Sequence, residues 1–138
     1  MVGLVGGDCV ASVLNSTSMA LLEKSLDAVW QRQQVIANNI ANAATPGYKS
    51  QHLEFETLLE RKLEASGDDE DSAIRAIGQV KPRVVRDENT SAMEDGNNVD
   101  LDHENIEMAR AQMQYSYLTN SISAQIKRLK YVVSEGRG

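Results

Sequence analysis

The chain reads as mainly α: an antiparallel pair of long N- and C-terminal amphipathic helices, coiled-coil-like, with a small irregular middle segment. Three observations predict this. Apolar residues recur at helical spacing from about residue 18 to 43, and again from 102 to 133. Between these stretches the pattern breaks into short apolar clusters, an acidic run and turn residues. The chain has 138 residues and only 4% aromatics, with Trp30 and Phe55 the sole members of their types. Such a chain has few large side chains for a compact core, so apolar surface on the helices is expected to bury against other subunits.

Four segments follow. Residues 1–18 lack a basic n-region, and Asp8 interrupts their apolar run, so they read as an added or frayed N-terminal extension and not as a secretory leader. Residues 19–49 hold helix one and a turn. Ser18 is its expected N-cap and Ala43 its expected end. Leu22, Leu26, Val29, Gln33, Ile36, Ile40 and Ala43 alternate at spacings of four and three, a heptad seam with one polar interruption at Gln33. Such a helix would be on the order of 40 Å long, and so narrow a stripe is marginal alone, so it needs a partner. Trp30 adjoins the seam and is expected to pack.

Residues 50–101 form the irregular middle. Leu53, Phe55, Leu58, Leu59 and Leu63 predict a short amphipathic helix over 54–65. The acidic run 66–72 reads as a mobile loop, 80–85 as extended with Pro82 confining it to an edge, and 94–98 as a turn. Residues 102–138 hold helix two. Asp102 is its expected N-cap, with Leu101 and Ile106 as a hydrophobic staple. Its stripe is Met108, Ala111, Tyr115, Leu118, Ile122, Ile126, Leu129 and Val133. From Ala111 the pattern repeats after eleven residues, about 3.67 per turn, which favours a straight or slightly right-handed wrap. Tyr117 points about 200° away from Tyr115 and suits a second contact. Lys127, Arg128 and Lys130 complement the negative end of the helix dipole, before Gly136 and Gly138 close the chain.

Composition excludes several functions. A net charge of −6 argues against nucleic-acid binding, which needs a basic face. The single Cys9 has no disulfide partner within the chain and no metal-ligand spacing around it. No uninterrupted apolar stretch is long enough to span a bilayer. Residues 95–104 supply carboxylate and amide oxygens. Counted from Asp95 as a calcium loop, though, position five is Val99, with no glycine at six and no glutamate at twelve. His103 beside Glu104 reads as a solvated first-turn residue, since His52 is far away in sequence. No set of residues supplies a nucleophile, a base and an orienting group together, so neither an enzyme, a cofactor nor a small-molecule substrate is expected.

The densest information lies in residues 37–49. Asparagine lowers helix propensity, yet Asn38, Asn39 and Asn42 all sit near the end of a well-patterned helix. Asn38 and Asn42 are four apart and share a face, from which they can bond to a neighbouring helix. At least one of the three is expected to fix the register of packed helices. Pro46-Gly47 suits the centre of a type II turn, so Thr45, Pro46, Gly47 and Tyr48 end the helix at a defined place and angle.

Asn39-Ile40-Ala41-Asn42 followed by Thr45-Pro46-Gly47-Tyr48-Lys49 resembles the N-terminal signature of the bacterial flagellar axial proteins, the rod and hook subunits. One departure is Ala44, where the family usually has a polar residue. DGNNVDLDHE, residues 95–104, is similar to the lead-in to the second helix in the rod branch nearest the membrane ring, with Asn98, Asp100 and Asp102 at matching positions. Gln114-Tyr115 and residues 123–127 are also similar to that branch. The resemblance implies a structural subunit of the proximal rod in the basal body, within the periplasmic space. It would polymerise through its terminal helices into a helical tube that transmits torque from the membrane ring to the hook. Implied partners are other rod proteins, the membrane-ring base and the flagellar type III apparatus, which would export the chain without a cleaved signal. The rival reading is a small secreted helical-hairpin adaptor or dimer with a single protein partner.

Overall fold

The computed structural model describes residues 6–88 and 94–135, with side chains described from Ser16 onward except at 132, 133 and 135. In chain order the elements are α1 (Gly6–Ala41), β1 (Gln51–Glu54), α2 (Glu56–Ser66), α3 (Glu70–Gln79), β2 (Arg83–Arg86) and α4 (Leu101–Glu135). The two long helices have 36 and 35 residues, each roughly 50 Å at 1.5 Å per residue. They run antiparallel: Asn39 meets Glu104 near one end, and Arg32 meets Gln114 further along. No helix among the described residues is long and apolar enough to cross a membrane.

Helix α1 is the centre of the molecule because adjacent residues on it, about 100° apart, face two different cores. Val29 and Ile36 pack with Ala111 of α4, joined by Ile40, Met108 and Leu118. Ala28 packs with Leu53, Phe55 and Val80, with Leu58 and Leu59 of α2 alongside. Ala111 is almost completely buried, and its small side chain lets α4 approach α1 closely there. The middle segment thus lies on a second flank of α1, beside α4 and close enough that Arg32 bonds both Glu56 and Gln114 and Asn39 both Gln51 and Glu104.

Within that middle, β1 and β2 pair antiparallel, Gln51 opposite Arg86 and Glu54 opposite Arg83. A lone two-stranded ribbon is marginal in water and needs outside support. The sheet covers only part of the predicted extended stretch, and Pro82 stands just before β2, where its missing N–H costs no ladder bond.

Several expectations are corrected. α1 begins at Gly6, so Ser18 lies inside the helix and caps nothing, and it ends at Ala41, short of Ala43. The acidic run is not a loop throughout. Asp69 accepts hydrogen bonds from the Ser72 N–H and hydroxyl and so caps α3, a helix absent from the sequence reading. α3 is held because Ala76 and Ile77 are buried, and because Glu70 accepts a hydrogen bond from Thr17 of α1 at 3.0 Å. Asp102 is not the N-cap of α4. Asp100 is, its Oδ1 accepting the N–H groups of Asp102 and His103 at 3.0 and 3.2 Å. Leu101 and Ile106 are both exposed and form no staple; with Asp100 as the cap, the residue before it is the buried Val99. Trp30 is 53% exposed and belongs to neither buried cluster. Val133 is outside the described side chains, and Gly136 and Gly138 are outside the described residues.

Candidate functional site

The asparagine-rich end of α1 and the segment leading into α4 close on each other as one polar junction. The α1 chain ends in tightened turns: Ala43 N–H reaches Ile40 at 3.3 Å and Thr45 N–H reaches Asn42 at 3.0 Å. The Thr45–Tyr48 turn then closes, Tyr48 N–H to Thr45 carbonyl at 3.2 Å, with Gly47 at φ +71°. That positive φ is what the third residue of a type II turn requires. Gly96, at φ +87°, lies against it: a Cβ on Gly96 would sit 3.6 Å from the Gly47 Cα. Gly47 N–H also donates to the Asp95 carbonyl at 3.0 Å.

Three amides tie this junction together. Asn39 is buried and uses its whole amide. Its Nδ2 donates to the Gln51 carbonyl at 2.7 Å and to Glu104 at 2.9 Å, while its Oδ1 accepts from Gln51 N–H and the Tyr48 hydroxyl. The side chain behaves as a peptide group paired to β1, and it also bridges α1 to α4. Asn97 is fully buried, and its Nδ2 lies within 3.0 Å of the carbonyls of Asn42, Ala43 and Thr45. It therefore caps the C-terminal end of α1 from a remote part of the chain, bonding three carbonyls of which Asn42 and Thr45 also accept a turn N–H. Its Oδ1 accepts the Val99 N–H at 2.8 Å. Asn98 accepts from Ser50 N–H at 2.7 Å and donates to the Asp87 carbonyl at 3.1 Å, clipping the ends of both strands.

Asn38 and Asn42 do share a face, but they bond to one another and to the turn, not to a neighbouring helix. Asn42 Nδ2 donates to the Asn38 carbonyl and Oδ1, and Thr45 donates to Asn42. Asn38 donates to the Tyr48 hydroxyl at 3.3 Å. The side-chain oxygens of Asp95, Asn97 and Asp100 serve backbone N–H groups. Asp95 accepts from Asn97, Asn97 from Val99, and Asp100 from Asp102, a succession of turns in which each side chain bonds two residues on.

Glu104 is buried, in line with Met108 and Ala111 at spacings of four and seven, although its charge and first-turn position suggested a solvated residue. Burial raises its pKa above the ordinary carboxylate value, aided by the charges of Asp100 and Glu107 and opposed by the Asn39 hydrogen bond. The Tyr48 phenol is likewise raised, first by burial and then by the nearby Glu104 charge, against a lowering by Arg86. Asn97 and Glu104 are the junction residues that the sequence reading missed. For Asn97 the available signal was the i, i+2 run of Asp95, Asn97 and Val99, in which the last residue is apolar.

Away from the junction the character reverses. Val29 and Ile36 are buried, whereas Leu22, Leu26, Ile40, Leu118 and Ile122 are half-buried. Tyr115, Ile126 and Leu129 of the expected contact stripe are exposed, as are Met113, Tyr117 and Tyr131. Ala111 is the last fully buried apolar residue along α4 among the described side chains. The distal half of the helix pair carries apolar surface that the chain itself does not cover.

Among the described residues no group of three or more potential ligands could hold a metal ion. Comparison with known proteins agrees with the junction's residues. The family described as "Flagella basal body rod protein" matches residues 26–49. The chain is 34% identical over 127 residues to the flagellar basal body rod protein FlgB of Bacillus subtilis, covering 90% of this chain and 98% of that protein. It is 36% identical over 128 residues to FlgB of Borrelia hermsii, covering 84% of this chain and 95% of that one. Against FlgB of Escherichia coli it is 32% identical over 126 residues, covering 83% and 91%. With likeness at this level running through both long helices and the junction that joins them, the chain belongs to the FlgB family of flagellar basal body rod proteins.

Proposed function

We propose that this chain is a structural, non-enzymatic subunit of the proximal flagellar rod, polymerising through the distal parts of α1 and α4. The observation that carries the reading is the apolar surface left on α4: Met113 and Tyr117 on one side, Ile126 and Leu129 on another. Surface of this kind on two sides of a helix suits a subunit with several neighbours. Heterologous contacts that do not close generate helical tubes, the form a drive shaft needs. Torque passes as shear shared among many interhelical contacts, and the bonded junction keeps each subunit's helices in register. The partners are copies of this chain, other rod proteins and the membrane-ring base, reached in the periplasm by export through the flagellar type III apparatus.

The test is genetic and biochemical together. A strain lacking the chain should be non-motile and regain motility with the full-length protein, which should then be found in isolated basal bodies. A version lacking residues 102–138 should be absent from them. The isolated chain in dilute solution should be monomeric or weakly associated, with rapid hydrogen exchange in its distal helices. Full protection there in a dilute monomer would overturn assembly-coupled ordering. A closed, stable dimer outside basal bodies would favour the adaptor reading.

A further inference from the structure

Helix α2 stands off the α1–α4 pair and leaves an open groove of about 960 Å³. Its walls are apolar, with Val29 from α1, Leu59 and Leu63 from α2, and Met113, Tyr117 and Leu118 from α4. One rim is acidic. Glu56, Glu60 and Glu64 follow one another at four-residue spacing along α2 and so stand in line on one face. Glu56 is engaged by Arg32 at 2.6 Å, whereas Glu60 and Glu64 make no ion pair among the described residues. An apolar trough beside a row of carboxylates is the complement of a basic amphipathic helix.

The chain itself carries such a segment. Lys127, Arg128 and Lys130 are the densest group of cations in the sequence, and residues 126–131 contain no acidic residue. Tyr131 is exposed among these cations, and at about 100° per residue Lys127 and Arg128 flank it on one face while Ile126 and Leu129 lie on the far side. The segment cannot fill the groove of its own molecule. It lies on the same rigid helix as the α4 wall of that groove, displaced by about 18 Å along the axis. Tyr131 also follows Met113 by eighteen residues, about five full turns, so the face that lines the groove continues to the basic end.

From this charge and shape complementarity we infer that the α2-side groove receives the basic end of α4, residues 126–131, of a second copy of this chain. The contact is heterologous and staggered along the helix axis, so it propagates instead of closing. It rests on the reading of the chain as an assembling rod subunit and gives that reading a specific seam.

The test uses two tagged full-length copies in one cell, both carrying Cys9→Ser. One also carries Glu60→Cys and the other Lys127→Cys. Isolated basal bodies treated with a short thiol crosslinker should yield a product containing both tags. Adding Glu56→Lys and Glu64→Lys to the first copy should lower that yield roughly fivefold, on the scale of two exposed charge pairs. Adding Arg128→Glu and Lys130→Glu to the second copy should restore it. If both copies enter basal bodies and no doubly tagged product forms, or Glu60→Cys links instead to a different rod protein, self-docking is overturned and the rod reading stands. If unmodified chain is itself absent from basal bodies, the rod reading falls and the docking falls with it.

Discussion

The two ends of the helix pair are built on different principles. At the junction, the buried amides of Asn39 and Asn97 bond through both nitrogen and oxygen to groups of known position. At the distal end, Met113 and Tyr117 are 66% and 70% exposed. Hydrogen bonds are directional and collapse steeply with misalignment, whereas apolar attraction follows area and is indifferent to small slips. A shaft built from apolar contact alone would therefore lack a fixed register. The difference teaches that the chain carries its own alignment in the polar junction and leaves apolar surface uncovered on the distal half of α4, the surface that the proposed function gives to neighbours.

The junction half of this comparison breaks most visibly at Asn97. Asn97→Ala removes the donor serving three carbonyls at the end of α1 and strands the Val99 N–H in a buried place. Unsatisfied buried groups cost about 1–3 kcal/mol each, so a loss of about 3 kcal/mol or more is expected in urea unfolding. Asn97→Asp keeps the acceptor for Val99 but turns a carboxylate toward carbonyl oxygens, and should be no better. A variant within about 0.5 kcal/mol of the parent would mean that the junction is not the rigid half. Next comes Asn39→Leu, which unpairs the Gln51 backbone and leaves Glu104 without its donor, for an expected loss of about 2 kcal/mol. A cycle with Glu104→Leu should show strong coupling between the two sites.

How legible each part was in the sequence follows the range of the forces involved. The Pro46-Gly47 turn was readable because turn chemistry is local, and Gly47 has the positive φ that the dipeptide demands. Helical periodicity likewise placed Val29, Ile36 and Ala111 on facing stripes. It correctly set Asn38 and Asn42 on one face, yet could not say that they would bond each other while Asn39 reached Glu104 across 65 positions. Asn97 escaped for the same reason: its partners are carbonyls more than fifty residues earlier. α3 was hidden because its first turn is acidic and its length is only 10 residues, so composition resembled a solvated loop. Its cap, Asp69 with Ser72, was present to be read. The scarcity of large side chains predicts uncovered apolar surface, but a stripe reports which residues share a face and not which of them one chain covers. The change from buried Ala111 to exposed Ile126 and Leu129 was therefore not legible.

Smaller effects sharpen the comparison through pH. The folded pKa of Glu104 is raised above its ordinary 4.5. Its contribution to stability is therefore full below that value and is lost as pH rises through the folded pKa. Glu104→Gln keeps an acceptor for Asn39 without the buried charge. It should be more stable than the parent at pH 7 in thermal melts, with the gap closing as pH falls below 4.5. Glu56 runs the other way. Burial alone would raise its pKa, but the Arg32 hydrogen bond and charge bring it below 4.5. Its contribution is present above 4.5 and lost as pH falls through the folded pKa. With its side chain 65% exposed, Glu56→Gln should cost less than about 1 kcal/mol at pH 7.

The smallest expected change in monomer stability is at the distal surface, and it cuts most sharply between the two halves. Met113→Ser with Tyr117→Ser trims apolar area already facing solvent, so the unfolding free energy from urea titration should change by no more than about 0.5 kcal/mol. The same pair should reduce recovery in basal bodies, because the removed area is what neighbours would bury. Stability unchanged with assembly lost is the signature of surface kept for others. If the double variant destabilises the isolated chain as much as Asn97→Ala does, those side chains belong to a core of the single molecule. The contrast between a self-sufficient junction and an adhesive distal half would then be wrong.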